Sequence, residues 1–127
     1  MKEKFGKEYK LCSKIEIDKV FTHGFHISQF PLKAFILKSS NADNIPFKVL
    51  ISVPKKRFKK AATRNYIKRI LRESIRKNKL NLETFLLQNN LQLAICISYS
   101  SAEEITYFEL EAKVNRLMNK IINHVSE

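Results

Sequence analysis

Residues 55–79 of this chain read KKRFKKAATRNYIKRILRESIRKNK. The stretch contains 12 basic residues and one acid, Glu73, whereas the other 102 residues contain 12 bases and 11 acids. A folded protein that concentrates its positive charge in this way is expected to have a polyanionic partner. The candidates are a nucleic acid and an anionic membrane surface.

The same stretch has the periodicity of an amphipathic helix, at about 100° per residue. Its apolar arc consists of Ile67, Ile70, Leu71, Ser74 and Ile75. Another side carries a line of bases, namely Arg64, Lys68, Arg72 and Arg76. Like charges four residues apart repel by ~0.2–0.5 kcal/mol per pair, so we expect an anion to compensate this line. Tyr66 lies at the edge of the apolar arc, so we expect its ring to pack against the protein rather than to stack on a base.

Three apolar runs have the composition of β-strands, at residues 32–38, 47–53 and 91–99. A polar turn cluster at residues 39–44 separates the first two, which are therefore expected to be antiparallel neighbours. Each of the three prolines lies at the edge of a predicted strand, where its missing N–H does no harm.

Two further helices are predicted, at residues 13–23 and 103–124. The first should end at Gly24, since glycine accepts a positive φ. The second should begin with a capping box formed by Ser101 and Glu104. The apolar side of this last helix comprises Ile105, Phe108, Leu110, Val114, Leu117, Met118 and Ile121.

The resulting element order is αββαβα, with the basic helix crossing over between the second and third strands. This order predicts one α+β domain over residues 1–127, a two-layer sandwich with a small mixed sheet. A chain of 127 residues is long enough for one hydrophobic core and too short for two.

The basic helix also carries a more particular string, which resembles the signature of the protein subunit of bacterial ribonuclease P. That family shows a strand ending in Ser-Val, two lysines, a short glycine-containing loop, the motif Arg-Asn-Arg-Ile-Lys-Arg and then Arg-Glu. The corresponding residues here are Ser52-Val53-Pro54-Lys55-Lys56, Arg64-Asn65-Tyr66-Ile67-Lys68-Arg69 and Arg72-Glu73. The chain departs from the family at Tyr66, in place of the second arginine, at Phe58, in place of the loop glycine, and at Ile17, in place of a common phenylalanine.

The resemblance implies a left-handed crossover through the basic helix, as in a ribosomal-protein-like domain. It also implies a function as the non-catalytic protein subunit of ribonuclease P, the endonuclease that removes the 5′ leader of precursor tRNA. In that enzyme, magnesium ions held mainly by the RNA subunit activate water, as two-metal chemistry allows. The implied partners are the catalytic RNA, with one protein per RNA, and precursor tRNA.

The residues expected to bind the RNA subunit are Lys55, Lys56, Arg57, Lys60, Arg64, Asn65, Lys68, Arg69 and Arg72. Guanidinium groups suit phosphates because they donate two parallel hydrogen bonds. The loop lysines precede a helix N-terminus, where the helix dipole favours anions. Alternatively, one or two of the bases could pair with Glu73 or cap a strand, and Asn65 could cap a neighbouring loop.

For the leader of precursor tRNA, the resemblance points to a cleft between the first helix and the sheet. This cleft would involve Phe21 and Phe35, with Lys19 or Lys33 nearby. Exposed aromatic side chains beside cations are typical of surfaces that bind single-stranded RNA. The alternative is that Phe21 belongs to the core, since it lies one helical turn from Ile17.

No catalytic or metal site is expected in the chain itself, since His23, His26 and His124 lack metal-ligand spacing and the carboxylates are scattered. The apolar runs are far shorter than the ~20 residues needed to span a bilayer, and the first residues lack an apolar signal core. We therefore expect a cytoplasmic protein without a membrane partner. The main alternative function is that of a small ribosomal or other structural RNA-binding protein, followed by a DNA-binding module and a stand-alone nuclease.

Overall fold

A computed structural model describes residues 5–40 and 44–126. The elements, in chain order, are a 3₁₀ helix (Lys7–Tyr9), α1 (Lys14–His23), β1 (Phe25–Gln29), β2 (Leu32–Lys38), β3 (Phe47–Ser52), α2 (Ala61–Asn78), α3 (Leu80–Gln88), β4 (Leu93–Tyr99) and α4 (Tyr107–Val125). Six of these elements correspond to predicted ones, and the 3₁₀ helix, β1 and α3 are additional. Residues 41–43 of the predicted polar turn lie outside the described residues.

The four strands form one mixed sheet in the order β1-β2-β4-β3. Strand β4 pairs antiparallel with β2 and parallel with β3, and β1 pairs antiparallel with β2. The prediction that β2 and β3 are neighbours is therefore wrong, because β4 lies between them. Six of the seven β4 residues are buried, as is typical of a strand covered on both faces.

The connection between β3 and β4 runs through α2 and α3. The prediction that the basic helix is the crossover is thus confirmed, and the α+β class with it. The left-handed sense of the crossover stays a prediction from the resemblance.

Helices α2, α3 and α4 contribute to the larger core on one face of the sheet. All five residues of the predicted apolar arc of α2 are buried there. Helix α1 packs on the other face, where Val20 contributes to a smaller cluster with Ala94 and Cys96. Because the apolar arc of α2 faces the sheet, its basic residues face outward.

Helix α4 begins later than predicted. Its N-cap is Thr106, whose hydroxyl accepts a hydrogen bond from the backbone N–H of Glu109 at 3.2 Å, and the Glu109 side chain completes the capping box. The predicted Ser101 capping box is therefore wrong, because residues 101–105 form a loop before the helix. Phe108 is 81% exposed and Ile105 precedes the helix, while the other five predicted apolar residues are buried.

Gly24 ends α1 without the positive φ that the sequence predicts, since its φ is −76°. The need for glycine comes instead from a close approach of two backbone segments. A Cβ at this position would lie 2.4 Å from the carbonyl oxygen of Val20 and 2.7 Å from that of Ile36. Any other side chain would therefore push α1 away from β2.

We expect Gly24→Ala to lower the free energy of unfolding by about 1–3 kcal/mol, the usual cost of overpacking. Urea denaturation measures this as a lower midpoint with an unchanged slope. Gly6→Ala is the matched control, because its new Cβ would meet only the carboxylate of Glu8, at the end of a flexible side chain. Equal stabilities for the two variants would contradict the close-approach argument.

Candidate nucleic-acid interface

The outward side of α2 borders a shallow groove of about 330 Å³, here called the α2 groove. The residues that line it are Phe5, Asn65, Lys68, Arg69, Arg72, Glu73 and Arg76. The six α2 residues share one face because they recur every three or four positions. Four of the predicted RNA-binding residues, Asn65, Lys68, Arg69 and Arg72, thus come together in one groove.

Three of the four bases on the predicted line are oriented by groups of the protein itself. Arg64 donates hydrogen bonds from Nη1 to the carbonyl oxygens of Phe58 and Lys59, at 2.8 and 2.9 Å. Arg72 donates from Nη2 to the carbonyl oxygen of Phe5 at 3.3 Å, and Arg76 pairs with Glu73. Arg64 therefore braces the loop before α2, and its expected contact with RNA stays a prediction.

Glu73 provides the negative charge in the α2 groove. Arg76 donates to it from Nε at 3.1 Å and also from Nη2. These hydrogen bonds lower the pKa of the Glu73 carboxyl group below its ordinary value, so it is ionised at neutral pH. It offsets one of the four bases of the groove, which leaves an excess of three positive charges.

Tyr66 lies on the surface rather than in the core. Its side chain is 38% exposed, and the guanidinium carbon of Arg69 lies 5.8 Å from the centroid of its ring. Ile67 and Ile70 occupy the inward positions of this turn, and the expectation that Tyr66 packs rather than stacks on a base stays a prediction. Its ring supports a groove arginine through a cation–π contact.

The loop between β3 and α2 presents a second group of bases. Four of the predicted residues lie there and are exposed, namely Lys55, Lys56, Arg57 and Lys60. The ring of Phe58 is half-buried and lies 5.9 Å from that of Tyr99, which anchors the loop to the core. The first turn of α2 contains no acidic residue, so the dipole of the helix adds to the attraction for an anion here.

Lys79, at the end of the basic stretch, does not belong to this interface. It is 2% exposed, and its ammonium donates to the Glu83 carboxylate at 3.0 Å. The hydroxyl of Tyr9 donates to the same carboxylate. Burial, and then Glu83, raise the pKa of Tyr9, so the phenol stays protonated. This cluster joins the N-terminal segment to α3.

The predicted leader-binding pair meets on the opposite face of the sheet. The rings of Phe21 and Phe35 lie 5.1 Å apart, and Phe21 is 49% exposed, so it is not a core residue. Lys33 is exposed on the same face of β2, two residues before Phe35. Lys19 is also exposed, but it precedes Phe21 by two positions on α1 and so projects from another side of the helix.

Two residues contribute to these surfaces although nothing in the sequence predicts that they do. His26 lies opposite Phe35 in the β1–β2 register, and their rings are 5.0 Å apart. Its position becomes evident only once β1 is known to be a strand. Phe5 belongs to no periodic segment, so nothing in the sequence connects it with Arg72.

The described residues also show whether the chain holds a metal site, a disulfide or a membrane-spanning helix. Within residues 5–40 and 44–126, no three His, Cys, Asp or Glu side chains lie close enough together to hold a metal ion. Cys12 and Cys96 are free thiols, and burial raises the pKa of Cys96 to about 11. Over the same residues, no helix is both long and apolar enough to cross a membrane.

Comparison with known proteins identifies a family and several relatives that resemble this chain. Residues 5–122 match the family Ribonuclease P. The ribonuclease P protein component of Porphyromonas gingivalis is 29% identical over 120 residues, which cover 94% of this chain and 88% of that protein. The protein of the same name from Pseudoalteromonas translucida is 29% identical over 117 residues, which cover 92% of this chain and 76% of that protein.

Two solved structures share the architecture. The RNase P protein of Staphylococcus aureus superimposes with a TM-score of 0.66 at 18% identity, over 89% of this chain and 94% of that one. The RNase P protein of Thermotoga maritima also superimposes with a TM-score of 0.66, at 19% identity, over 87% of this chain and 96% of that one. Because the family match extends over nearly the whole sequence, the chain belongs to the ribonuclease P protein family.

Proposed function

We propose that this chain is the protein component of a ribonuclease P holoenzyme and promotes removal of the 5′ leader from precursor tRNA by binding two RNA segments. The α2 groove and the loop before α2 bind the RNA subunit. The surface around Phe21 and Phe35 binds the leader. Membership of the family supports the holoenzyme assignment. The observation that carries the first binding site is the convergence of Asn65, Lys68, Arg69 and Arg72 on one groove.

The α2 groove has the properties that a folded RNA backbone requires. It is open and shallow, and it holds an excess of three positive charges. Each phosphate that an arginine or lysine neutralises releases condensed counterions, which drives binding at low salt. Asn65 adds a side chain that can both donate and accept hydrogen bonds, which suits a ribose hydroxyl or a base edge.

The chemistry of phosphodiester cleavage is assigned to the RNA subunit, with magnesium ions held mainly by that RNA. Metal ions held by that RNA would activate water and stabilise the leaving oxygen, so the protein need supply no nucleophile. The protein contributes fixed cations beside the RNA, which reduce the repulsion between its phosphates. One protein per RNA is sufficient for this role.

The leader site combines an exposed aromatic pair with cations. A base can stack on Phe21 and Phe35, and Lys33 can reach its phosphate from the same face of β2. Lys33 pairs with Ser98, and Ser98 pairs with Ser52 at the end of β3. Lys33 is thus about 10 Å from the strand that leads into the basic loop, at two strand spacings.

The two sites lie on opposite sides of the sheet, because α2 packs on one face and Phe35 lies on the other. The protein can therefore hold the RNA subunit and the leader at the same time. Such simultaneous binding would hold the substrate close to the catalytic RNA, which raises its effective concentration there.

We expect Arg69→Ala and Arg72→Ala each to weaken binding of the ribonuclease P RNA about tenfold, since hydrogen bonds to charged groups are stronger than neutral ones. Each should also reduce the slope of log K against log salt by about one. Filter binding over a salt series measures both. Arg116→Ala is the matched control, because Arg116 is exposed on α4 and does not line the α2 groove.

Two outcomes would count against this assignment. One is an equal loss of affinity from Arg116→Ala, which would mean that only net charge matters. The other is unfolding of the Arg69 and Arg72 variants, visible in thermal melts, which would make the two arginines structural.

We expect Phe21→Ala to weaken binding of the precursor tRNA leader by ~1–3 kcal/mol per stacked base. The measurement compares the affinity of the reconstituted holoenzyme for precursor tRNA with its affinity for leaderless tRNA. Only the first should change. Phe108→Ala is the matched control, because Phe108 is also an exposed aromatic residue but lies on α4. A similar loss in both variants, or a similar loss with leaderless tRNA, would exclude a leader site at Phe21.

A further inference from the structure

Phe5 and Arg72 make two contacts although 67 positions separate them in the chain. The guanidinium carbon of Arg72 lies 5.0 Å from the centroid of the Phe5 ring. Nη2 of Arg72 donates a hydrogen bond to the Phe5 carbonyl oxygen at 3.3 Å. Phe5 is also the residue outside α2 that lines the α2 groove. A residue of the N-terminal segment thus orients an arginine that is proposed to bind RNA.

The Phe5 ring is held in turn by the core of the protein. Its centroid lies 5.0 Å from that of Tyr9 and 6.5 Å from that of Phe47. Phe47, the first residue of β3, is fully buried. The Tyr9 and Phe47 rings are 5.6 Å apart, so the three rings form one cluster between the sheet and the α2 groove.

A buried polar cluster fixes the position of this segment. The Tyr9 hydroxyl donates to Glu83, which also accepts from the Lys79 ammonium at 3.0 Å. The same ammonium lies 5.1 Å from the centroid of the Tyr9 ring. Lys79 and Glu83 are 2% and 9% exposed. Displacement of Tyr9 would remove a hydrogen bond from a buried carboxylate, which is costly.

We propose that Phe5 is a positioning residue of the RNA interface, which holds the guanidinium of Arg72 in the orientation that meets an RNA phosphate. This inference rests on the proposed function, since it assumes that the α2 groove binds the ribonuclease P RNA. A guanidinium has five N–H donors, so the contact with the Phe5 carbonyl leaves donors for a phosphate. An arginine that is already ordered loses less side-chain freedom on binding.

The test is a double-mutant cycle on the full chain, with the dissociation constant for ribonuclease P RNA as the readout. Phe5→Leu keeps apolar volume against Tyr9 and Phe47 but removes the face of the ring. We expect it to raise the dissociation constant about three- to tenfold, the range of a cation–π contact. In the Arg72→Ala background, Phe5→Leu should change the dissociation constant by less than about twofold, because the arginine that Phe5 positions is absent. Phe5→Tyr, which keeps the ring, should restore tight binding.

The cycle separates a positioning role from a purely structural one. A folding defect or a direct contact of Phe5 with RNA would give the same loss in both backgrounds, and that result would overturn the inference. An unchanged dissociation constant for Phe5→Leu, while Arg69→Ala and Arg72→Ala bind weakly, would overturn it and leave the proposed function intact. If neither arginine variant binds more weakly, the proposed function fails and this inference fails with it.

Discussion

The parallel pairing of β3 with β4 is the constraint on which the rest of this structure depends. Parallel neighbours cannot be joined by a hairpin, so the chain must cross over the sheet between them. The crossover contains α2, whose four buried aliphatic residues each gain ~1.5–3 kcal/mol on burial. Three repulsive pairs along the basic line cost only ~0.2–0.5 kcal/mol each. Burial therefore sets the orientation of α2 and turns its bases towards solvent.

Three of those bases are oriented by other groups of the protein. The loop carbonyls hold Arg64, Glu73 holds Arg76, and Phe5 holds Arg72. A disordered basic tail would attract the same polyanion, but it would lose more conformational entropy on binding. A folded helix with oriented side chains presents its charges at fixed spacing. The proposed function thus draws on electrostatic attraction and on the fixed geometry of the helix.

The sequence predicts the elements with strong periodicity and fails where the fold depends on contacts between distant segments. The buried arc of α2 follows from its apolar spacing, and the crossover follows from the element order. The neighbours of β4 do not, because strand order depends on which apolar surfaces meet in three dimensions. Local preference predicts Gly24 as the glycine that ends α1 with a positive φ, whereas the structure requires glycine because the carbonyl oxygens of Val20 and of Ile36 on β2 approach its backbone.

The candidate site shows the same division. Asn65, Lys68, Arg69 and Arg72 share a face that helical spacing alone predicts. The burial of Lys79 has no signal in the sequence, because Tyr9, which covers it, comes from the N-terminal segment, while Glu83 lies only one helical turn away. Phe5 has no signal for the same reason, since it contacts Arg72 far away in the sequence. The contact of His26 with Phe35 becomes evident only once β1 is known to pair with β2.

Reconstitution tests the central claim most directly. The purified chain would be combined with its cognate ribonuclease P RNA, and 5′ cleavage of a precursor tRNA would be followed at low magnesium, where repulsion between RNA phosphates is poorly screened. The account predicts that the protein raises the rate of cleavage well above that of the RNA alone. An identical rate with and without the protein would contradict it.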